Sequence, residues 1–225
     1  MGCGRHRTQR GAHVAIAATV VTILGCAAAI AAFQGERHVA YPSLKVLASS
    51  GFVAVALSKG LPASGWPTAL SAGLAIALLG DALLGLRRTW AFVAGMVMFL
   101  AMHLCYLTGF LARGINPVSL ALATAAAMGL LGLVWRWAGP HLPKRLAPAI
   151  AVYMGALALD LAAGVSTGVT LPNAALIAGI LLVGLSDLAV LRQRFVHPGL
   201  MNKVIGLPMY YAGQLLLAWA VIAAA

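Results

Sequence analysis

The sequence predicts an all-α integral membrane protein with eight transmembrane helices, arranged as two four-helix halves. Three observations predict it. Of the 225 residues, 62% are hydrophobic and only 8% charged, a balance far outside that of a soluble domain. The apolar residues fall into eight successive runs, each near the roughly 20 residues needed to cross a hydrocarbon core. A short acid-bearing block in the first half returns in the second.

The first run, about 14 to 33, follows a basic tail over residues 1–13 that carries Arg5, Arg7 and Arg10. It is longer than the roughly 7 to 15 apolar residues of a secretory signal core, so it is read as a retained helix; cleavage would leave seven. The second run, about 39 to 58, ends before Gly60-Leu61-Pro62, and the third, about 66 to 86, ends at Arg87-Arg88. The fourth, about 89 to 112, stops before Gly114-Ile115-Asn116-Pro117, and the fifth, about 117 to 138, before Gly139-Pro140. The sixth covers about 146 to 168, the seventh about 171 to 191 and the eighth about 204 to 224, with Leu171-Pro172-Asn173 and His197-Pro198-Gly199 at the turns. Residues 14–225 therefore read as one membrane domain, with weak repeats of about 14–112 and 117–224.

A net charge of +11 would point to nucleic acid in a soluble protein. Here the basic residues sit in loops and helix ends, so the charge speaks to lipid headgroups and topology, and no nucleic-acid partner is expected. The N-terminal face holds Arg5, Arg7, Arg10, Lys59 and Arg113. The opposite face holds Arg37, Arg87, Arg88, Arg136, Lys144, Arg145, Arg192, Arg194 and Lys203. By count that second face is cytoplasmic, although the basic tail argues the reverse. The expected location is a cell membrane, the inner or plasma membrane if the source is bacterial. Cys3, Cys26 and Cys105 form no CxxC pair, and no HxxxH or HExxH occurs, so neither a disulfide framework nor a metal or other cofactor is expected.

Ionisable groups at membrane depth cost about 2.5 to 3.5 kcal/mol each at a helix centre and are functional candidates by default. Three of the four acids, Asp81, Asp160 and Asp187, fall inside the runs, together with Lys45. Counting helical rise from the second face puts Asp81 and Asp187 about 8 to 9 Å deep and Lys45 and Tyr210 about 9 to 10 Å. His103, Gln214 and Asp160 come out deeper, at about 21, 16 and 22 Å, as the floor of a cavity opening at that face. Each has a structural alternative. The aspartates are explained also by pairing with Lys45 or a tyrosine. His103 and Tyr106, three residues apart on one helix face, and Gln214, four from Tyr210, are explained also by interhelical hydrogen bonds.

Gly80-Asp81-Ala82-Leu83-Leu84-Gly85-Leu86-Arg87-Arg88 is echoed by Ser186-Asp187-Leu188-Ala189-Val190-Leu191-Arg192-Gln193-Arg194. Four helices separate the copies, which makes the third and seventh helices parallel and brings both acids to one depth.

Four blocks then carry a family resemblance. LLGDALLGL, FVAGMVMFLAMHLCYLTGF, LLVGLSDLAVLRQRF and MYYAGQLLLAW, in this order, together resemble the YhhN family of membrane proteins, which includes the TMEM86 lysoplasmalogenases. The resemblance runs from about Tyr41 to the C-terminus. It implies an eight-helix membrane fold and hydrolysis of the vinyl-ether bond of lysoplasmalogens to a fatty aldehyde and a glycerophospho-base. It also implies that Asp81 and Asp187 are the catalytic pair. Two departures stand out: the family's Lys-Pro-Leu appears as Lys45-Val46-Leu47, and Asp160 occupies a helix that is generally apolar in the family.

Vinyl-ether hydrolysis needs one acid to protonate the outer carbon and one base to activate water, a division two carboxylates perform in glycoside hydrolysis. The aspartate paired with Lys45 is expected to be the base; the residues alone do not say which of the two that is. Arg87 and Arg192, with their neighbours Arg88 and Arg194, stand where a lysophospholipid phosphate would be held, or serve topology alone. Lys45, His103, Tyr106, Tyr210 and Gln214 complete the expected substrate site. The rival from another class is a proton-coupled transporter or lipid-binding membrane protein, which also uses buried acids and internal repeats.

Overall fold

Apolar runs broken by proline and glycine fold, in the computed structural model, into eight α-helices among the described residues. The described residues are 2–37, 39–62, 64–86 and 88–224, with side chains from Gln9 onward. The helices are α1 (Gly2–Gln34), α2 (Ala40–Ala56), α3 (Trp66–Gly85), α4 (Thr89–Arg113), α5 (Pro117–Ala138), α6 (Ala147–Thr170), α7 (Ala174–Leu191) and α8 (Leu200–Ala224). A 3₁₀ turn, Gly139–His141, follows α5, and a π turn, Arg192–Val196, continues α7. No strand occurs among the described residues.

Local chemistry sets the boundaries. Proline occupies the first turn of α3, α5 and α6, where its missing N–H costs nothing. Asn116 caps α5 by accepting from the Val118 and Ser119 amides at 3.0 Å, and Asn173 caps α7 by accepting from Leu176 N–H at 3.0 Å, each satisfying end donors that lipid would leave unpaired.

Seven of the helices are long and apolar enough to cross a membrane, the architecture of a multi-pass membrane protein. The exception is α2. Where a full crossing was expected over about 39 to 58, the helix has 17 residues, or roughly 25 Å of rise against a core of about 30 Å. A turn at Leu57–Gly60 draws its end in, with Gly60 at φ 105°. Close approach compensates for the short length. A Cβ on Gly51 of α2 would lie 2.2 Å from Thr22 Oγ1 and 2.6 Å from Ala18 O of α1, so only glycine lets these backbones touch.

The packing pairs run in parallel in the two halves. In the first, α1 packs on α2, α2 on α3 and α3 on α4; in the second, α5 packs on α6, α6 on α7 and α7 on α8. Across the halves α2 meets α8, and α6 meets α4. The correspondence fails at two places: α1 and α3 both lean on α8, whereas α5 packs chiefly on α6 and the short turns, and α7 has no matching packing on α4. Only Val134 and Ala138 of α5 are buried. The main core lies among α1, α2, α3, α4, α7 and α8, with Ala163 of α6, and includes Phe52, Leu70, Met102, Phe110, Ile180 and Val221. A smaller one joins Val134, Leu142, Ile150 and Met154. The site lies between the two.

Candidate active site

Asp81 is carried by α3 and held from α2. Lys45 Nζ lies 2.7 Å from Asp81 Oδ1, and Ser49, one turn further along the same face of α2, donates its hydroxyl to Oδ2 at 2.5 Å. Tyr211 of α8 donates to the Lys45 carbonyl at 3.2 Å and fixes the backbone behind the ammonium. Lys45 is 5% and Asp81 1% exposed. A buried pair of this kind needs good geometry and extra hydrogen bonds to offset desolvation, and both are present. The next residue of α8, Tyr210, is buried with its hydroxyl beside Asp81. Gly80 makes room for this arrangement: a Cβ there would sit 2.7 Å from the Phe99 ring.

Asp187 is carried by α7 and held from α4 and α6. His103 Nε2 lies 3.0 Å from Asp187 Oδ2, and Tyr153 donates to the same oxygen at 2.9 Å. The other ring nitrogen, His103 Nδ1, lies 2.8 Å from Asp160 Oδ2. The Tyr153 ring stands edge-on to the imidazole at 5.6 Å. The two aspartates thus have matching surroundings: Asp81 takes its partners from α2 and has α8 alongside, Asp187 takes its partners from α6 and α4.

Both carboxyls line one cavity of about 580 Å³. Its polar end gathers Glu36, Arg37, Arg88, Arg194 and Lys203, from the end of α1, the start of α4, the π turn and the start of α8. Its apolar arm runs between α4, α5, α6 and α7, past Met96, Leu130, Leu131, Met154 and Leu157. With Glu36, Asp81 and Asp187 on the wall and Asp160 one side chain behind it, all four acids of the chain belong to this cavity. The arrangement offers two carboxyls with different partners, a cationic mouth and an apolar sleeve. Such a site can bind an anionic amphiphile and carry out acid–base chemistry on it. Among the described residues no group of three or more His, Cys, Asp or Glu is arranged to hold a metal ion.

Of the expected site residues, Asp81, Asp187, Lys45 and Tyr210 line the cavity. His103 does not; it stands behind Asp187. Tyr106 and Gln214 are apart from the lining, closed on each other: Tyr106 donates to Gln214 Oε1 at 2.6 Å, and Gln214 Nε2 lies 3.3 Å from Met102 Sδ. Arg192 bonds to Asn202 Oδ1 at the start of α8 and is absent from the wall. Arg194 takes the mouth position instead, its guanidinium 4.6 Å from the Phe92 ring centroid. Arg87 lies outside the described residues.

Depth counting also needs correction. It separated His103 from Asp187 by about 12 Å, yet the two are hydrogen-bonded. The helix bearing Asp187 does not end at Arg192 but continues through the π turn to Val196, so Asp187 lies deeper than a count from Arg192 gives. The roles of Ser49, Tyr153 and Lys203 were not foreseen, nor was the pairing of Asp160 with His103. For Ser49 a signal existed, its position one turn from Lys45.

Residues 40–221 match the YhhN family. Over 163 residues the chain is 33% identical to lysoplasmalogenase TMEM86B of Sus scrofa, a match covering 70% of this chain and 65% of that protein. It is 30% identical over 163 residues to lysoplasmalogenase TMEM86A of Bos taurus, covering 69% and 65%. The chain thus spans 65% of the length of each of these relatives. No solved structure matches it.

Proposed function

The chain belongs to the YhhN family, and from that premise we propose that it is a membrane hydrolase of lysoplasmalogen-type lysophospholipids. It cleaves the vinyl-ether bond and releases a fatty aldehyde and a glycerophospho-base. The observation that carries the reading is that Asp81 and Asp187, from echoing blocks of the two halves, line one cavity with different partners. The names of the relatives support the substrate class. The recurring pairs of neighbouring helices support a fold of two parallel four-helix halves, with α2 crossing as a short eighth span.

The partners divide the roles. Both oxygens of Asp81 are occupied, one by an ammonium and one by a hydroxyl, which favours a carboxylate. Asp187 receives both its hydrogen bonds on Oδ2, and its side chain is 13% exposed, which leaves Oδ1 free to carry a proton toward the cavity. Asp187 is therefore the acid and Asp81 the base.

The reaction balances on these two groups. Asp187 gives its proton to the outer vinyl carbon, and the ether oxygen shares the resulting positive charge as an oxocarbenium ion. The Asp81 and Asp187 carboxylates stabilise that cation in a site of low dielectric. Water adds to the inner carbon while Asp81 takes its proton. The hemiacetal then collapses: Asp81 returns the proton to the departing glycerol oxygen, the hemiacetal hydroxyl proton passes to Asp187, and both groups are reset.

Arg88, Arg194 and Lys203 hold the phosphate at the mouth, and the apolar arm takes the alkenyl chain. The testing experiment gives purified protein alkenyl, alkyl and acyl lysophospholipids in detergent and follows fatty aldehyde. Release from the alkenyl substrate alone is expected. No release, with substrate accumulating inside proteoliposomes, would replace the hydrolase by a transporter.

A further inference from the structure

One buried acid has no task in this scheme. Asp160 on α6 is fully buried, at 0% exposure, and its Oδ1 makes no hydrogen bond among the described residues. Its other oxygen faces His103 Nδ1 at 2.8 Å, and His103, also at 0% exposure, faces Asp187 through Nε2. If the site needed only to keep an imidazole N–H satisfied, a neutral amide would do so without burying a second carboxyl.

Donor counting shows what the carboxyl changes. A carboxylate oxygen only accepts, so each of the two contacts at His103 holds one proton between nitrogen and oxygen. With two protons, Asp160, His103 and Asp187 together carry one negative charge, while the neighbouring Lys45–Asp81 pair is balanced in itself. A third proton makes the inner set neutral, the state that burial in an apolar bundle favours. Both ring nitrogens already donate and Tyr153 donates to Asp187 Oδ2, which leaves two free oxygens for the third proton. An O–H on Asp160 Oδ1 would be enclosed with no acceptor among the described residues, whereas on Asp187 Oδ1 it faces the cavity, where water or substrate accepts it.

We propose that Asp160 and His103 are positioning residues that keep the acid proton of Asp187 on its cavity-facing oxygen, by holding the imidazole ring as a donor at both nitrogens. The proposal rests on the hydrolase reading above. In the catalytic cycle Asp187 gives up the third proton to the vinyl carbon. The carboxylate that remains accepts from His103 and Tyr153 while the oxocarbenium ion lasts. Collapse of the hemiacetal returns the proton to Asp187, so no other reactant enters.

Asp160→Asn reverses the arrangement in a defined way. The neutral set then holds two protons. The amide oxygen accepts from Nδ1–H, Nε2 becomes an acceptor, and the acid proton is drawn inward onto Asp187 Oδ2, between the carboxyl and the ring. The donor is still present but no longer faces substrate. A positioned acid contributes about 10²- to 10⁴-fold, and turning its proton away from substrate forfeits part of that.

The test uses the full chain with ¹⁵N-labelled histidine. The His103 signals among the six histidines are identified by their loss in His103→Gln. In wild type both His103 nitrogens are expected at protonated positions, and in Asp160→Asn one moves to the position of an unprotonated ring nitrogen. Alongside, kcat for the alkenyl substrate falls at least about 10-fold, part of the roughly 10²- to 10⁴-fold that a positioned acid contributes, with KM within about twofold. An unprotonated His103 nitrogen in the wild type overturns the proposal, even if Asp160→Asn does not fold. So does a variant that shifts the signal but leaves kcat unchanged. Wild type that releases no aldehyde fails the hydrolase reading instead, while its ring-nitrogen signals still report on the doubly donating state.

Discussion

Replacing Lys45 by Met removes the ammonium 2.7 Å from Asp81 Oδ1 and leaves a nearly fully buried carboxyl with only the Ser49 hydroxyl. Breaking one partner of a buried ion pair costs about 3 to 5 kcal/mol, much more than removing both partners together. At roughly 2 to 4 °C per kcal/mol for a chain of this size, the apparent melting temperature of Lys45→Met should fall by about 6 to 20 °C. Adding Asp81→Leu removes the stranded charge, so the double variant should melt much closer to wild type. Hydrolysis should not return with it, because the base is gone. The assay is thermal unfolding in detergent followed on the two single variants and the double, with aldehyde release measured beside each. A Lys45→Met protein that melts with the wild type and keeps its activity would refute the claim that this pair holds the base in place. A double variant as unstable as Lys45→Met would refute the reasoning from stranded charge.

The apolar arm and the mouth separate into different kinetic constants. Leu130→Trp or Leu131→Trp narrows the arm where both residues line it, and should lower kcat/KM for long-chain substrates about tenfold or more while sparing short ones, as a few lost methylene contacts predict; competition between chain lengths checks it. Arg194→Gln should raise KM with little change in kcat, whereas Arg192→Gln, at a residue absent from the wall whose bond ties the π turn to Asn202 of α8, should chiefly lower the melting temperature. Tyr106→Phe strands the Gln214 amide oxygen in the interior and should cost about 1 to 3 kcal/mol of stability, seen in unfolding, with kcat retained.

How much of this was visible beforehand depends on what each feature rests on. The apolar runs survive any packing, because length and composition decide whether a helix crosses lipid; α2 differs since a turn at Gly60, not composition, ends it. Asp81 and Asp187 stood out because acids are few and their blocks repeat, and Lys45 because a buried carboxyl needs a counter-charge. Rotation about a helix axis was not visible. Arg192 and Arg194 are two residues apart, roughly 200° around a helix, and the π turn decides that the second reaches the mouth. Tyr106 shares a helix face with His103 but reaches across to Gln214 on α8, so spacing alone gave it to the wrong group. Asp160 and Tyr153 required the contact of α6 with α4 and α7. No local pattern encodes that contact.

The central claim is that two carboxyls on one cavity carry out the hydrolysis, and Asp81→Asn and Asp187→Asn test it most directly. Each keeps the size of the side chain while removing the proton chemistry. With purified protein and an alkenyl lysophospholipid, each should lower the rate of aldehyde release by at least about 100-fold, the scale of a lost acid or base. Both variants should still elute as folded protein in detergent. Aldehyde release at the wild-type rate by either variant would contradict the account.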